Sequence, residues 1–286
     1  MRVGATHYRS IFVTPGRHSV SALDQTRLPR ELVVRELATL EDAARAIETM
    51  VVRGAPLIGV TAAYGVWLGL REDASDAGLG AAFERLLRTR PTAVNLRWAL
   101  ERARAALTPL APSGRAEAAL AFADGLAEQD VAACEAIGRH GAALLRDHHA
   151  RIGAPPVLQV LTHCNAGWLA PVDWGTALAP LYRLHDEGLA LHVWVDETRP
   201  RNQGYLTAWE LTQHGIPNTV IVDNAGGLLL QRGQVHACIV GSDRTTRRGD
   251  VCNKIGTYLT ALAARAHGVP FSVALPARTF RSRRRQ

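Results

Sequence analysis

Lysine is almost absent from this chain. Of its 33 basic residues, 32 are arginine, and the one lysine is Lys254. Cysteine is scarce too: Cys134, Cys164, Cys238 and Cys252 are the whole complement. They show no CxxC or other ligand spacing, which argues against a cysteine-held metal, and no metal is expected. With no signal peptide in the opening Met1-Arg-Val-Gly-Ala-Thr-His7, the expected location is a reducing cytoplasm. The histidines are scattered, and His148-His149 lacks companion ligands, so that pair reads as a solvated helix end. The longest apolar run, Ala55 to Leu70, is broken by Pro56, three glycines and Thr61. It falls short of the roughly 20 residues that a bilayer-spanning helix needs, so it reads as a buried helix and no membrane partner is expected. No GxGxxG comes after the first strand of the second half, so the usual dinucleotide fingerprint is missing.

What is present is the composition of an ordinary globular protein, 47% hydrophobic and 21% charged. A length of 286 residues favours two domains over one. The net charge of +7 suggests a nucleic-acid partner until its position is considered. Arg278, Arg281, Arg283, Arg284 and Arg285 crowd the end of the chain, and without those five the balance is +2. The body is near neutral, so no nucleic-acid partner is expected, and the basic tail reads as a solvated end.

The first 35 residues alternate short polar and apolar stretches, as a small sheet or hairpin does. Thr39-Leu-Glu-Asp42 resembles a capping box ahead of a helix over 43–52. Alanine- and leucine-rich helical stretches come next, near 92–109 and 116–147. Pro155-Pro156 then marks a change of rhythm. Short β-rich runs at 157–162, 189–195, 219–222, 235–241 and 271–275 alternate with helical stretches near 173–186, 205–214, 225–232 and 252–267. That alternation predicts parallel strands joined by crossover helices. The expected architecture is α/β: a mostly helical N-terminal domain with a small β element over 1–150, a Rossmann-like parallel sheet over 151–276, and a basic tail over 277–286.

Ligands of an open parallel sheet bind beyond the carboxyl ends of its strands. The strand ends deliver His163, Cys164, Asn165 and Gly167, then Asp196, Glu197, Arg199 and Gln203. Asp223 and Asn224 come after the third strand, and Ser242, Asp243 and Arg244 after the fourth. Cys164, in a strand-to-loop turn, is a candidate base or nucleophile; the rival reading is a small buried hydrophobe. Asp243 is a candidate general acid or base wherever burial or neighbours raise its pKa, with helix capping or pairing to Arg244 as the alternatives. Asn253 and Lys254, read at the start of the helix over 252–267, form a candidate anion seat for phosphate. Arg53-Gly-Ala-Pro56 offers a guanidinium fork beside a backbone open to close approach. Arg90 stands at a helix start, with Pro91 suited to the first turn.

The segments that carry these residues resemble one family in order and in detail. They are Leu23-Asp-Gln-Thr-Arg-Leu-Pro29, Arg53-Gly-Ala-Pro-Leu-Ile-Gly59, Arg90-Pro-Thr-Ala-Val-Asn-Leu96 and Leu161-Thr-His-Cys-Asn-Ala-Gly167. Asp196-Glu-Thr-Arg-Pro-Arg-Asn-Gln-Gly204, Gly241-Ser-Asp-Arg244 and Gly249-Asp-Val-Cys-Asn-Lys-Ile-Gly-Thr-Tyr258 complete the set. The chain is similar to the methylthioribose-1-phosphate isomerases, within the larger group that includes the initiation-factor 2B regulatory subunits. The resemblance implies a cofactor-free aldose–ketose isomerisation of 5-methylthioribose 1-phosphate in methionine salvage, by a homodimer. It implies Asp243 as the acid/base at the sugar oxygens and Cys164 as the group at carbon. Arg53, Gly54, Ala55, Arg90, Gln203, Asn253 and Lys254 would hold the phosphate and hydroxyls. Relatives continue past Pro276, so a C-terminal segment is expected to be missing. The Gln203-Gly204 stretch is one residue short of the usual spacing, which is expected to move Gln203. Two alternatives stay open: another sugar 1-phosphate substrate (5-deoxyribose 1-phosphate or ribose 1,5-bisphosphate), or a regulatory protein without a catalytic pair.

Overall fold

The computed structural model describes residues 1–279, so the expected basic tail lies outside the described residues from 280 onward. The chain divides into two compact units. One comprises residues 9–132 and 169–173; the other comprises residues 1–8, 133–168 and 174 onward. One division falls inside the long helix over 112–151. Residues 1–8 form a hairpin of β1 (Arg2–Val3) and β2 (Thr6–His7), closed by the Tyr8 N–H donating to the Met1 carbonyl at 2.7 Å.

The helical unit begins with an antiparallel sheet of β3 (Ile11–Val13), β4 (Val20–Leu23) and β5 (Val34–Leu37), in that order. Helices α1 (Leu40–Glu48), α2 (Ala55–Glu72), α3 (Asp76–Leu87), α4 (Val94–Leu107) and α5 (Pro112–Arg151) come after it. The capping box forms as its sequence indicates: Thr39 Oγ1 accepts the Asp42 N–H at 3.1 Å, and Asp42 Oδ2 accepts the Thr39 N–H at 3.0 Å. Helix α2 carries the long apolar run, buried on nearly every side and packed by α1, α3 and α4. A helix that is apolar all round has to be central. Pro112 does not break a helix. It begins α5, where its missing N–H would have no intrahelical partner anyway.

The sheet unit runs β6 (Leu158–Thr162), α6 (Ala179–Asp186), β7 (Leu191–Asp196), α7 (Gly204–Gln213), β8 (Asn218–Ile221), α8 (Ala225–Gln231) and β9 (Ala237–Val240). A short hairpin is next, β10 (Arg244–Thr245) with β11 (Val251–Cys252), then α9 (Thr257–Ala266) and β12 (Phe271–Val273). The five long strands are parallel and ordered β12-β9-β6-β7-β8. In order of appearance that is fifth, fourth, first, second, third, which matches the first five strands of the Rossmann order 3-2-1-4-5-6. Leu161 and Cys238, from the two central strands, pack with Leu230 of α8 and Ala264 of α9.

Two helices begin later than their sequence suggests. Trp174 (φ 64°) and Gly175 (φ 83°) take left-handed backbone, which delays α6 to Ala179. Residues 251–252 pair as a strand and Gly256 has φ 105°, so α9 starts at Thr257 and not at 252. Cys252 is therefore in a strand, and Asp250 stands just before it. It closes the hairpin turn, with its Oδ2 accepting from Thr246 Oγ1 at 2.8 Å.

Candidate active site

The reversal of strand order lies between β6 and β9, and a crevice opens beyond the carboxyl ends of the two strands that flank such a point. Cys164 lies two residues past the end of β6 and Asp243 three past the end of β9. The two strands are tied directly: Val160 pairs with Ala237 and Leu161 with Cys238, and Thr162 Oγ1 donates to the Ile239 carbonyl at 2.7 Å. The topology thus sends both catalytic candidates to the same rim.

Cys164 is half-buried and has φ 70°, a left-handed conformation that a non-glycine residue holds only when its surroundings impose it. Two threonines impose it. The Cys164 N–H donates to Thr198 Oγ1 at 2.9 Å, and its carbonyl accepts from Thr207 Oγ1 at 2.8 Å. Thr198 has φ 63° and donates its hydroxyl to the Asp196 carbonyl at 3.0 Å. Thr207 lies in the first turn of α7, one turn beyond Gln203 at the N-cap. Gln203 is buried, and its Oε1 has no hydrogen-bond partner among the described residues. An unsatisfied buried amide oxygen at this rim suits a group that meets a ligand. Beneath the turn, Asn165 donates to Thr207 Oγ1 at 3.1 Å and to Glu210 Oε1 at 2.7 Å, and Tyr182 donates to Glu210 Oε2 at 2.9 Å.

Asp243 is exposed. Its backbone is fixed by the hairpin, the Asp243 N–H donating to the Cys252 carbonyl at 3.0 Å. That bond brings Asn253 and Lys254 back beside Asp243. They do not stand on a helix N-terminus as their sequence suggests but in the three-residue approach to Gly256, the N-cap of α9. Asn253 Nδ2 donates to Thr257 Oγ1 at 3.0 Å, which in turn donates to the Lys254 carbonyl at 2.7 Å. The segment is compact and internally braced, with Lys254 half-buried.

Sequence reasoning placed His163 and Asp196 at the rim but assigned neither a task. The structure joins them. His163 Nδ1 lies 2.8 Å from Asp196 Oδ2 and its Nε2 lies 2.7 Å from the Ile255 carbonyl, with both side chains fully buried. Burial pushes the His163 pKa down, but the Asp196 carboxylate and the Ile255 carbonyl outweigh it and leave the pKa raised. Burial also holds the Asp196 carboxyl above its usual range, against the pull of His163. The roles of Thr198 and Thr207 had no sequence signal, since each depends on a loop conformation and not on a motif.

Among the described residues, His163, Asp196 and Asp223 could offer three metal-ligating atoms within 4.8 Å of one another. Their atoms serve an internal brace: Asp223 accepts the Thr198 and Arg199 N–H groups at 2.7 and 2.8 Å, while His163 is bound to Asp196 and Ile255. A histidine with both ring nitrogens engaged has no lone pair to give a cation.

The remaining candidates belong to the helical unit. Arg53 is buried, its Nε donating to Gln25 Oε1 at 3.0 Å, and Gln25 Nε2 donates onward to the Leu169 carbonyl at 2.7 Å. Gly54 has φ 102°, and a Cβ there would lie 2.3 Å from the Ala170 carbonyl oxygen, so only glycine fits. Ala55 opens α2, and Arg90 is half-buried ahead of α4. Pro91 is not in the first turn of α4 as expected: its segment makes a turn, with the Ala93 N–H on the Arg90 carbonyl at 2.9 Å, and the helix begins at Val94. Among the described residues, no helix is long and apolar enough to cross a membrane.

The Initiation factor 2 subunit family matches residues 51–285 of the chain. A methylthioribose-1-phosphate isomerase of Methylobacterium nodulans is 62% identical over 98% of this chain and 76% of its own length. One of Escherichia coli is 57% identical over 98% of this chain and 75% of its own length. Among solved structures, the 5-methylthioribose 1-phosphate isomerase of Pyrococcus horikoshii superposes with a TM-score of 0.86 at 36% identity, covering 98% of this chain and 80% of that one. The delta subunit of translation initiation factor eIF-2B from A. fulgidus gives 0.83 at 41% identity, covering 98% and 81%.

Proposed function

The chain belongs to the Initiation factor 2 subunit family, and from that premise we propose that it is an isomerase converting 5-methylthioribose 1-phosphate to 5-methylthioribulose 1-phosphate in methionine salvage. The observation that carries the reading is identity to isomerases of that name, 57 to 62% over nearly the whole chain. The arrival of Cys164 and Asp243 beyond the two strands at the switch point supports it.

The C1 phosphate prevents the sugar ring from opening as a free sugar's does. In the proposed chemistry Asp243, as the carboxylic acid, protonates the ring oxygen as the C1–O bond breaks. Cys164, as the thiolate, takes the proton from C2, and the released electron pair forms the C1–C2 double bond. The thiol then returns that proton to C1 while the Asp243 carboxylate takes the C2 hydroxyl proton and the ketone forms. Both groups end as they began, and no electrons enter or leave. General acid–base help of this kind contributes about 10²–10⁴-fold. Gln203, Asn253 and Lys254 are assigned to the phosphate and hydroxyls, together with Arg53, Gly54, Ala55 and Arg90 of the helical unit. A cytoplasmic location is part of the proposal, supported by four cysteines that form no disulfide.

So is a homodimer. Its support is apolar exposure on the sheet unit: Tyr258 and Leu259 of α9 are 73% and 70% exposed, Leu262 of the same helix is exposed too, and so is Leu228 of α8, which packs on α9. Light scattering of the eluted protein tests it, with a monomer at micromolar concentration as the contrary result.

Proton NMR of the purified chain with 5-methylthioribose 1-phosphate, 5-deoxyribose 1-phosphate or ribose 1,5-bisphosphate tests the substrate. Ketose formation fastest on the methylthio sugar is expected. Preference for the bisphosphate would move the reading to another sugar 1-phosphate. No turnover by a folded protein would favour a regulatory role without catalysis.

A further inference from the structure

We infer that His163 is a positioning residue: with its buried partner Asp196 it grips the Ile255 carbonyl and so holds the Asn253–Lys254 segment in register with the Cys164 turn. This rests on the assignment of Asn253 and Lys254 to substrate binding. A carbonyl oxygen can only accept, so the 2.7 Å contact from Nε2 to Ile255 requires the proton to be on Nε2. The 2.8 Å contact from Nδ1 to Asp196 Oδ2 requires one more proton, carried by either atom. Whether the pair is imidazolium and carboxylate or imidazole and carboxylic acid, its net charge is zero. Net neutrality with directional hydrogen bonds is the condition on which two fully buried ionisable groups are tolerated.

These two protons remove His163 from the chemistry. Neither nitrogen retains a lone pair or an N–H to offer a substrate, although Cys164 is the next residue. What His163 touches instead is the loop. Gly256 lies against the ring so closely that a Cβ there would be 2.6 Å from Cε1, and its φ of 105° belongs to glycine. Asp196 is held in place by the end of β7, and the Thr198 hydroxyl on the Asp196 carbonyl connects the same strand end to the Cys164 N–H. One network therefore fixes the Cys164 turn and the lysine-bearing segment together. Loss of the His163 arm frees the segment while leaving Cys164 clamped by Thr198 and Thr207.

The test compares His163→Ala, His163→Gln and His163→Asn with the parent chain, using hydrogen–deuterium exchange by mass spectrometry and steady-state kinetics on 5-methylthioribose 1-phosphate. In His163→Ala the amides of residues 253–258 should exchange about tenfold faster, with KM raised about tenfold and kcat changed much less. Glutamine places a carboxamide N–H near the position of Nε2, so His163→Gln should recover protection and KM. Asparagine is too short to reach Ile255, so His163→Asn should behave like alanine, and it stands in if His163→Ala does not fold. Unchanged exchange at 253–258, or a collapse of kcat at constant KM, would overturn the inference. Exchange is read without substrate, so a parent chain that fails to turn over this sugar would reject the substrate while leaving the tether tested.

Discussion

Alanine at Gly256 gives the clearest structural test of the packing around His163. The substitution has two costs. A non-glycine residue at φ 105° strains the backbone, and the added methyl meets His163 Cε1 at 2.6 Å and Nε2 at 2.8 Å. Gly249, in the adjacent turn, separates the two costs, because its φ is 91° but nothing lies within 4 Å of a Cβ built there. Left-handed backbone costs about 1–2 kcal/mol, which Gly249→Ala should show by itself. Overpacking against a ring held by two hydrogen bonds adds about 1–3 kcal/mol for Gly256→Ala. In a unit of this size that excess lowers Tm by roughly 2–12 °C relative to Gly249→Ala. Thermal unfolding measured by circular dichroism reads the difference, and KM should rise in the Gly256 variant alone. Equal melting temperatures for the two variants would mean that the ring is free to move, and His163 would then be no tether.

The same geometry sets further outcomes. Iodoacetamide at pH 8 should modify exposed Cys252 in the native protein and spare Cys134 and Cys238, which are buried; burial pushes the Cys238 thiol up to about 12. Peptide mass mapping checks this, and native labelling of Cys238 would contradict the burial. Thr198→Val removes the acceptor of the Cys164 N–H and should cost about 1–3 kcal/mol with a marked loss of kcat, while Thr198→Ser keeps both; urea unfolding and initial rates tell them apart. Arg115 is buried and donates to the Leu110 and Ala74 carbonyls, so Arg115→Met should destabilise by about 2–4 kcal/mol, read by the same unfolding curves. The raised His163 pKa gives the pair a stabilising contribution that is complete below the imidazole's unfolded value of 6.5 and lost as pH rises through the folded value. The Tm advantage of the parent chain over His163→Gln should therefore shrink between pH 6 and 9. An advantage that grows with pH would contradict the proton count.

The sheet was legible because its strands are short, apolar and separated by helical stretches, a rhythm that few other architectures share. All five strands were located by that signal, and the residues just past their carboxyl ends included Cys164, Asp243 and Gln203. The errors have a common physical origin. The sequence from 251 to 256 suits the start of a helix, yet Val251 and Cys252 pair with Arg244 and Thr245, and Gly256 turns left-handed. Pairing within this short hairpin overrides the helical preference, so Lys254 precedes α9 by three residues instead of sitting in its first turn. Trp174 before α6 is a similar case, since nothing in a tryptophan announces a positive φ. A continuous helix carries no local mark where its packing partners change, and a division between units falls inside α5. His163 was visible at the strand end, but its role depends on Ile255, 92 residues away, and only the fold brings them together.

Isomerisation as proposed requires Cys164 to move the carbon-bound proton and Asp243 to serve the oxygens. Proton NMR of 5-methylthioribose 1-phosphate with the parent chain, Cys164→Ser and Asp243→Asn tests this most directly, with circular dichroism to establish that each variant is folded. The ketose should accumulate with the parent chain, and each variant should lose at least about 10²-fold in rate. Turnover near the parent rate by either folded variant would contradict the assignment.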